Sequence, residues 1–142
     1  MKDLAKMSIL QRRADLGLLI LRLSVGGLML LHGISKLRFG IDPIEGLVAS
    51  FGLPAFLAYG VYIGEVIAPL LIVLGVATRG AAIVLFFNCI VAALMAHSGD
   101  ILSLNAQGGW AVELLGLYAF GALVLVFTGG GKYSLSTKYI WD

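Results

Sequence analysis

Charged residues are scarce in this sequence, and their scarcity sets the first limit on what the protein is. They make up 13% of its 142 residues, against roughly 25% in ordinary soluble domains. This composition excludes a soluble globular domain. The net charge is only +2, and the basic residues do not cluster into a groove or stripe, so nucleic acid is not an expected partner.

Cysteine is almost absent. The one cysteine, Cys89, has no partner within the chain, which excludes an intrachain disulfide, a Cys-x-x-Cys redox pair and a thiolate metal site. Only two histidines are present, and both fall toward the same predicted side of the molecule. We therefore expect no metal site and no covalently bound cofactor.

The sequence contains long apolar runs with few charged residues. Hydrophobic residues make up 60% of the chain, and the mean hydropathy is +1.00. Four runs are close to or above the about 20 helical residues that cross a hydrocarbon core: residues 16–37, 55–77, 80–97 and 110–128. Little chain remains outside them. We predict an all-α fold, a four-transmembrane-helix bundle that forms a single membrane domain over residues 1–142.

If these spans alternate in direction, the basic residues sort strongly to one side of the membrane. One side receives Lys2, Lys6, Arg12, Arg13, Arg79, Lys132 and Lys138. The other side receives only Lys36 and Arg38. The positive-inside rule then predicts that both termini are cytoplasmic, in a bacterial inner (plasma) membrane.

A short helix is predicted between the first two spans, over residues 43–51. Asp42 is a candidate N-cap, Pro43 suits the first helical position, and Glu45 stands three residues after the cap. An apolar stripe follows at helical spacing. We expect this helix to lie in the membrane interface, although an ordinary connecting helix packed over the bundle is an equal alternative.

Four ionisable residues lie inside otherwise apolar stretches: Arg22, His32, Glu65 and Glu113. A charged group in hydrocarbon is costly, so such residues are paired, hydrated or functional. We predict two polar clusters, Arg22 with Glu65 at mid-depth and His32 with Glu113 toward the outer side. The pairs could also do no more than fix helix register, whereas a histidine held by a carboxylate could move protons.

Three other polar residues are secondary candidates for the site. Lys36 is expected to extend toward the headgroups, His97 to end the third span, and Asn88 either to join helices or to contact a ligand. Gly26 and Gly33 lie on the same face of the first helix as Arg22 and Lys36, where small residues let a neighbouring helix approach.

The resemblance to a known family rests on several short motifs. They are Leu21-Arg22-Leu23, His32-Gly33-Ile34-Ser35-Lys36-Leu37, Phe51-Gly52-Leu53-Pro54, Gly64-Glu65 with Pro69, the turn from Leu74-Gly75 to Thr78-Arg79, and Glu113 with the 129–134 tail. In order and spacing the chain resembles the DoxX family of small four-helix integral membrane proteins, over residues 16–136.

This resemblance implies a quinone-linked redox setting. The family name comes from subunits of an archaeal membrane complex that passes electrons from a sulfur compound to quinone. Other members resemble membrane partners of thiol-oxidoreductase or stress systems. A bound quinone would need a proton donor, such as His32 or Glu113, and an apolar slot for its tail.

The leading hypothesis is an integral inner-membrane protein that acts as a small membrane subunit or quinone-interacting partner of a redox system. Whether it catalyses a reaction or serves as an accessory subunit of a quinone-linked oxidoreductase stays open. One alternative is a small-molecule or proton carrier acting as an oligomer, because intramembrane carboxylates near basic groups also mark transport paths. The other is a non-catalytic membrane scaffold. Expected partners are the lipid bilayer, a quinone or other apolar ligand, and a protein partner or further copies of the chain.

Overall fold

The computed structural model describes the backbone of residues 2–142, with the side chains of residue 7 and residues 9–142. Over that part the chain is helical, without strands, and one isolated antiparallel bridge joins Leu104 to Trp110. Five helices are present there: α1 (Lys2–Phe39), α2 (Asp42–Ser50), α3 (Ala55–Leu74), α4 (Thr78–Ala96) and α5 (Glu113–Thr128). The predicted all-α class is confirmed.

Three helices of the described chain are long and apolar enough to cross a membrane: Ile9–Phe39 within α1, α3 and α4. Helix α5 has 16 residues, about 24 Å at 1.5 Å per residue, which is less than the about 30 Å of a hydrocarbon core. The helix begins at Glu113, three residues after the predicted start of the fourth span. Trp110 belongs to the α4–α5 loop, where its indole N–H donates to the Ile101 carbonyl at 2.6 Å.

Helix α3 changes its winding along its length. It begins with a 3-10 turn, Ala55–Tyr59, and has a π-helical turn at Ile63–Ile67. Pro69 has no N–H, so the carbonyl of Glu65 lacks the donor that stands four residues further on in a regular α-helix. The wider π turn therefore forms beside Glu65. Turns of this kind are frequent at functional sites.

Helix α1 packs closely on α3 through its glycines. A Cβ at Gly26 would lie 2.9 Å from the Pro69 carbonyl oxygen, and a Cβ at Gly33 would collide with the carbonyl of Glu65. The predicted close approach at this face of α1 is therefore confirmed. The core between the long helices consists of buried apolar side chains, among them Val25, Met29, Ile72, Leu85, Ala122 and Leu125.

Helix α2 forms where the sequence predicts a short helix, but without the predicted cap. The N-cap is Ile41, with no side-chain cap bond, and Asp42 already lies in the first turn. The Ile41 carbonyl accepts hydrogen bonds from the amides of Ile44 and Glu45. The turn therefore closes one residue earlier than the capping pattern indicated. Val48 of α2 packs in a small buried cluster against the start of α3.

A tight turn joins α3 to α4. Helix α3 ends at Leu74 rather than at the predicted residue 77, because Gly75 adopts the left-handed conformation with φ 71°. Ala77 follows with φ 46°. Two left-handed residues in this short connection reverse the chain, so α3 and α4 pack as antiparallel neighbours.

The segment after α5, residues 129–142, folds back over this turn. The amides of Leu135 and Ser136 donate to the carbonyls of Leu74 and Gly75, at 3.2 and 3.0 Å. At its end, the Asp142 carboxylate accepts from the Ala77 amide at 2.9 Å. We call residues 129–142 the C-terminal tail.

Candidate functional site

Arg22 lies at the junction of α1, the end of α3 and the C-terminal tail, with 1% of its surface exposed. Its Nε donates to the Ile72 carbonyl at 2.9 Å and its Nη2 to the Val73 carbonyl at 2.8 Å. Its Nη1 donates to the carbonyls of Gly130 and Tyr133 and to the Ser134 hydroxyl, each at 3.1 Å. The carbonyl end of α3 carries partial negative charge, so the buried guanidinium is stabilised without a carboxylate.

The predicted pairing of Arg22 with Glu65 is wrong. Arg22 is level with Ile72 and Val73, and Glu65 lies seven residues before Ile72, about 10 Å along a helix. Among the described residues, Arg22 and Glu65 form no salt bridge. Arg22 is therefore a structural joint between α1, α3 and the tail.

Glu65 pairs with Lys36 instead. Lys36 Nζ forms a salt bridge with Glu65 Oε2, and the exposed fractions of the two side chains are 25% and 10%. From α4, Asn88 Nδ2 approaches Glu65 Oε1 at 3.5 Å. Lys36 therefore points inward to Glu65, and the prediction that it extends to the headgroups is wrong. Asn88 lies between α4 and α3, next to the Glu65 carboxylate.

Two glycines set the position of the Glu65 backbone. The carbonyl of Glu65 lies against Gly33 of α1, and the side chain of Asn88 lies against Gly64. A Cβ at either glycine would overlap these groups. Glu65 is thus held through its backbone by α1 and through its two carboxylate oxygens by side chains of α1 and α4.

The predicted contact of His32 with Glu113 does not form. Both residues are exposed. The His32 ring packs edge-on against Tyr118, with 6.0 Å between ring centroids. The carboxylate of Glu113 lies against Gly109, because α5 begins at Glu113 and its first side chain turns toward the preceding loop.

A cavity of about 740 Å³ connects most of the predicted polar residues. Lys36, Glu65 and Asn88 form its polar floor, and His32 and His97 also line it. The other lining residues are mostly apolar, among them Met29, Val48, Leu57, Phe87, Met95 and Leu114. Phe87 and Leu114 are 60% and 53% exposed, so the cavity opens at the apolar surface of the helices. We call it the groove.

The groove includes one polar residue that the sequence analysis missed. Tyr118 of α5 lines it and is 7% exposed. Its signal in the sequence was a tyrosine within an apolar run. Arg22 and Glu113 do not line the groove. His97 lines it and also lies 3.8 Å from the Asp100 carboxylate, as expected of a residue just after the end of α4.

The arrangement fits an apolar molecule with hydrogen-bond acceptors. Lys36 Nζ has three N–H donors, of which Glu65 takes one. Its remaining donors and the Asn88 amide lie at the floor of a groove whose other walls are mostly apolar, with His32, His97 and Tyr118 as the further polar residues. Ligand sites commonly combine predominantly apolar walls with a few placed polar groups, in volumes of about 300–1,000 Å³.

Comparison with known proteins gives the family. The DoxX family model matches residues 17–98, more than half of the chain. The chain belongs to the DoxX family, and its long apolar helices make it a membrane protein.

Three relatives are similar to this chain in sequence. An uncharacterised protein of Haemophilus influenzae is 33% identical over 137 residues, which cover 94% of this chain and 98% of that protein. "Inner membrane protein YphA" of Escherichia coli is 32% identical over 129 residues, 85% of this chain and 89% of that protein. "Putative oxidoreductase CatD" of Bacillus subtilis is 37% identical over 65 residues, 46% of this chain and 48% of that protein. No solved structure matches the chain.

Proposed function

We propose that this chain is a small inner-membrane subunit or partner of a redox system and that its groove binds a quinone. The observation that carries the proposal is the groove itself. It is an apolar cavity among membrane helices, with Lys36, Glu65 and Asn88 at its floor. A quinone has an apolar tail and two carbonyls that accept hydrogen bonds, which suits this combination. The oxidoreductase name of the Bacillus subtilis relative supports the redox setting.

In this proposal a quinone enters from the bilayer. The opening at Phe87 and Leu114 faces apolar surface, and the cavity of about 740 Å³ accommodates the ring and the first part of the tail. Lys36 donates to one quinone carbonyl, and Glu65 holds the lysine in place. His32 lines the same cavity and is the proposed proton donor to the quinone. Electrons come from a partner protein.

The proposed membrane arrangement has four spans with both termini in the cytoplasm. Helix α5 is short, and it crosses together with residues of the loop before it. The basic residues of the tail, with Arg12, Arg13 and Arg79, then lie on the cytoplasmic side. Helix α2 lies in the outer interface. The name of the Escherichia coli relative supports an inner membrane.

Quinone binding by the purified protein tests the proposal. We expect decylubiquinone to raise the melting temperature of the protein in detergent and a native quinone to be extractable from the purified sample. Glu65→Gln should weaken the response, because Lys36 loses its partner and shifts within the groove. Glu113→Gln is the matched control, since that carboxyl lies outside the groove, and it should respond like the parent protein.

A second variant guards against a folding defect in Glu65→Gln. Tyr118→Phe removes only a hydroxyl from the groove wall and should alter the affinity for decylubiquinone without a loss of fold. The quinone proposal fails if the purified protein contains no quinone and decylubiquinone leaves its melting temperature unchanged.

A further inference from the structure

A second cavity, of about 450 Å³, lies where the C-terminal tail covers the α3–α4 turn. Its walls are polar to a much greater extent than those of the groove. Arg79 lines one side, and Thr128, Thr137, Tyr139 and Asp142 line the others, together with the backbone of residues 129–131. None of these residues belongs to the groove.

Arg79 has hydrogen-bonding capacity that the described residues do not use. Its Nε is fully enclosed and has no hydrogen-bond partner among them, and the same is true of Oγ1 of the neighbouring Thr78. Arg22, by comparison, donates to five oxygen atoms. Buried polar groups in folded proteins are nearly always paired. Arg79 also lines the polar cavity, so its side chain borders the space that an acceptor from outside the chain would occupy.

The first amides of α4 do not provide the site. The Trp141 carbonyl already accepts from the amides of Arg79 and Gly80, at 2.8 and 3.4 Å. The Ala77 amide donates to Asp142. The groups that still have hydrogen-bonding capacity are the Arg79 side chain and the hydroxyls of the cavity wall.

The Asp142 carboxylate bonds to other donors rather than to Arg79. Its Oδ1 accepts from the Ala77 amide. Its Oδ2 accepts from the Ser136 hydroxyl at 2.6 Å and from the amides of Lys138 and Tyr139 at 2.9 Å each. Both oxygens are therefore occupied by other donors. Among the described residues, Arg79 and Asp142 form no salt bridge, so this carboxylate does not take up the donors of the guanidinium group.

We propose that this cavity binds a phosphate group, with Arg79 as its principal ligand. The guanidinium has a planar set of donors that matches two phosphate oxygens. Hydroxyls of Thr137 and Tyr139 supply further donors. The phosphate belongs either to an anionic phospholipid headgroup at the membrane surface or to a free phosphate ion. This proposal does not depend on quinone binding in the groove.

Binding of phosphate-bearing probes to the whole protein in detergent tests the site. The probes are dihexanoyl phosphatidylglycerol, dihexanoyl phosphatidylcholine and inorganic phosphate, each titrated while the melting temperature is followed. We expect phosphatidylglycerol to raise it more than phosphatidylcholine does. Arg79→Gln should weaken phosphatidylglycerol binding about tenfold, as expected for the loss of charge-assisted hydrogen bonds.

Lys138→Gln is the matched control, because it removes one positive charge from the same tail without touching the cavity wall. It should retain the affinity of the parent protein. Tyr139→Phe removes one wall hydroxyl and keeps the backbone contacts of the tail, so it tests the cavity even if Arg79→Gln fails to fold. We expect it to weaken binding severalfold.

The three probes separate the sources of the phosphate. A response to phosphatidylglycerol without a response to inorganic phosphate assigns the site to a lipid headgroup. An equal response to inorganic phosphate assigns it to the free ion. The proposal is overturned if no probe binds, or if Arg79→Gln and Lys138→Gln weaken binding equally, since the effect would then be general surface charge.

Discussion

Replacing Arg22 by methionine should strongly destabilise the protein. The change keeps an unbranched apolar side chain and removes all donors to four carbonyls and one hydroxyl. A single hydrogen bond from a charged group contributes about 1.5–3 kcal/mol. The five bond energies do not simply add, because all five bonds come from one guanidinium group. The variant also avoids the cost of burying a charge, which lowers the net loss further. We therefore expect a net loss near the about 3–5 kcal/mol seen when one member of a buried polar pair is removed.

Unfolding by sodium dodecyl sulfate in mixed micelles measures this loss. Arg38→Met is the matched control, because Arg38 is exposed on the same helix and its removal should change the free energy of unfolding by less than about 0.5 kcal/mol. Arg22→Lys should recover less than half of the loss. An ammonium group has three donors on one atom and cannot reach the end of α3 and the tail together.

The same variant should release the C-terminal tail. Arg22 contacts the tail at Gly130, Tyr133 and Ser134, so its loss should speed cleavage by trypsin after Lys132 and Lys138. If Arg22→Met and Arg38→Met unfold at the same detergent fraction and are cleaved at the same rate, Arg22 is not the joint we describe.

Three further predictions concern other contacts of the fold. Gly33→Ala should cost about 1–3 kcal/mol by overpacking α1 against α3, whereas Gly27→Ala, with nothing near its added Cβ, should be neutral or stabilising in the same unfolding assay. A double-mutant cycle of Lys36→Met with Glu65→Gln should give a coupling energy of about 1–2 kcal/mol; a value near zero would mean that the pair is not formed. A serine hydroxyl and tail amides lower the pKa of Asp142 from 3.8 to about 2. The ionised carboxylate therefore stabilises the docked tail. This stabilisation is complete above about pH 4 and is lost as the pH falls toward 2. Fluorescence of the tail tryptophan follows this change, and Asp142→Asn should abolish it.

The sequence was sufficient for the helical class and for most of the apolar segments, because length and apolar content decide whether a helix can span a membrane. It was insufficient for helix ends. Helix α5 begins after a folded loop in which the Trp110 indole bonds to the Ile101 carbonyl. The end of α3 depends on Gly75 in the left-handed conformation. The hydrophobic periodicity of the sequence predicts neither this loop contact nor the conformation of Gly75.

The sequence also singled out Arg22 and Glu65, which are buried, but paired them wrongly. Angular position around α1 was correct enough to place Arg22 and Lys36 on one face, since both contact α3. The direction in which the long side chains extend was not predicted correctly. Arg22 donates to the carbonyls of Ile72 and Val73, which lie at its own level, instead of extending toward Glu65. Lys36 extends inward and forms the salt bridge with Glu65.

This exchange of partners changes the chemistry available in the groove. Arginine stays charged and fixes several acceptors at once, which suits a joint where Arg22 binds carbonyls of α3 and the tail. Lysine is a compact charge with three donors and a titratable proton. Placed beside Glu65, it keeps donors free toward a cavity that opens to the apolar surface. The residue that could bind a ligand is therefore Lys36, and the more deeply buried cation, Arg22, maintains the architecture around it.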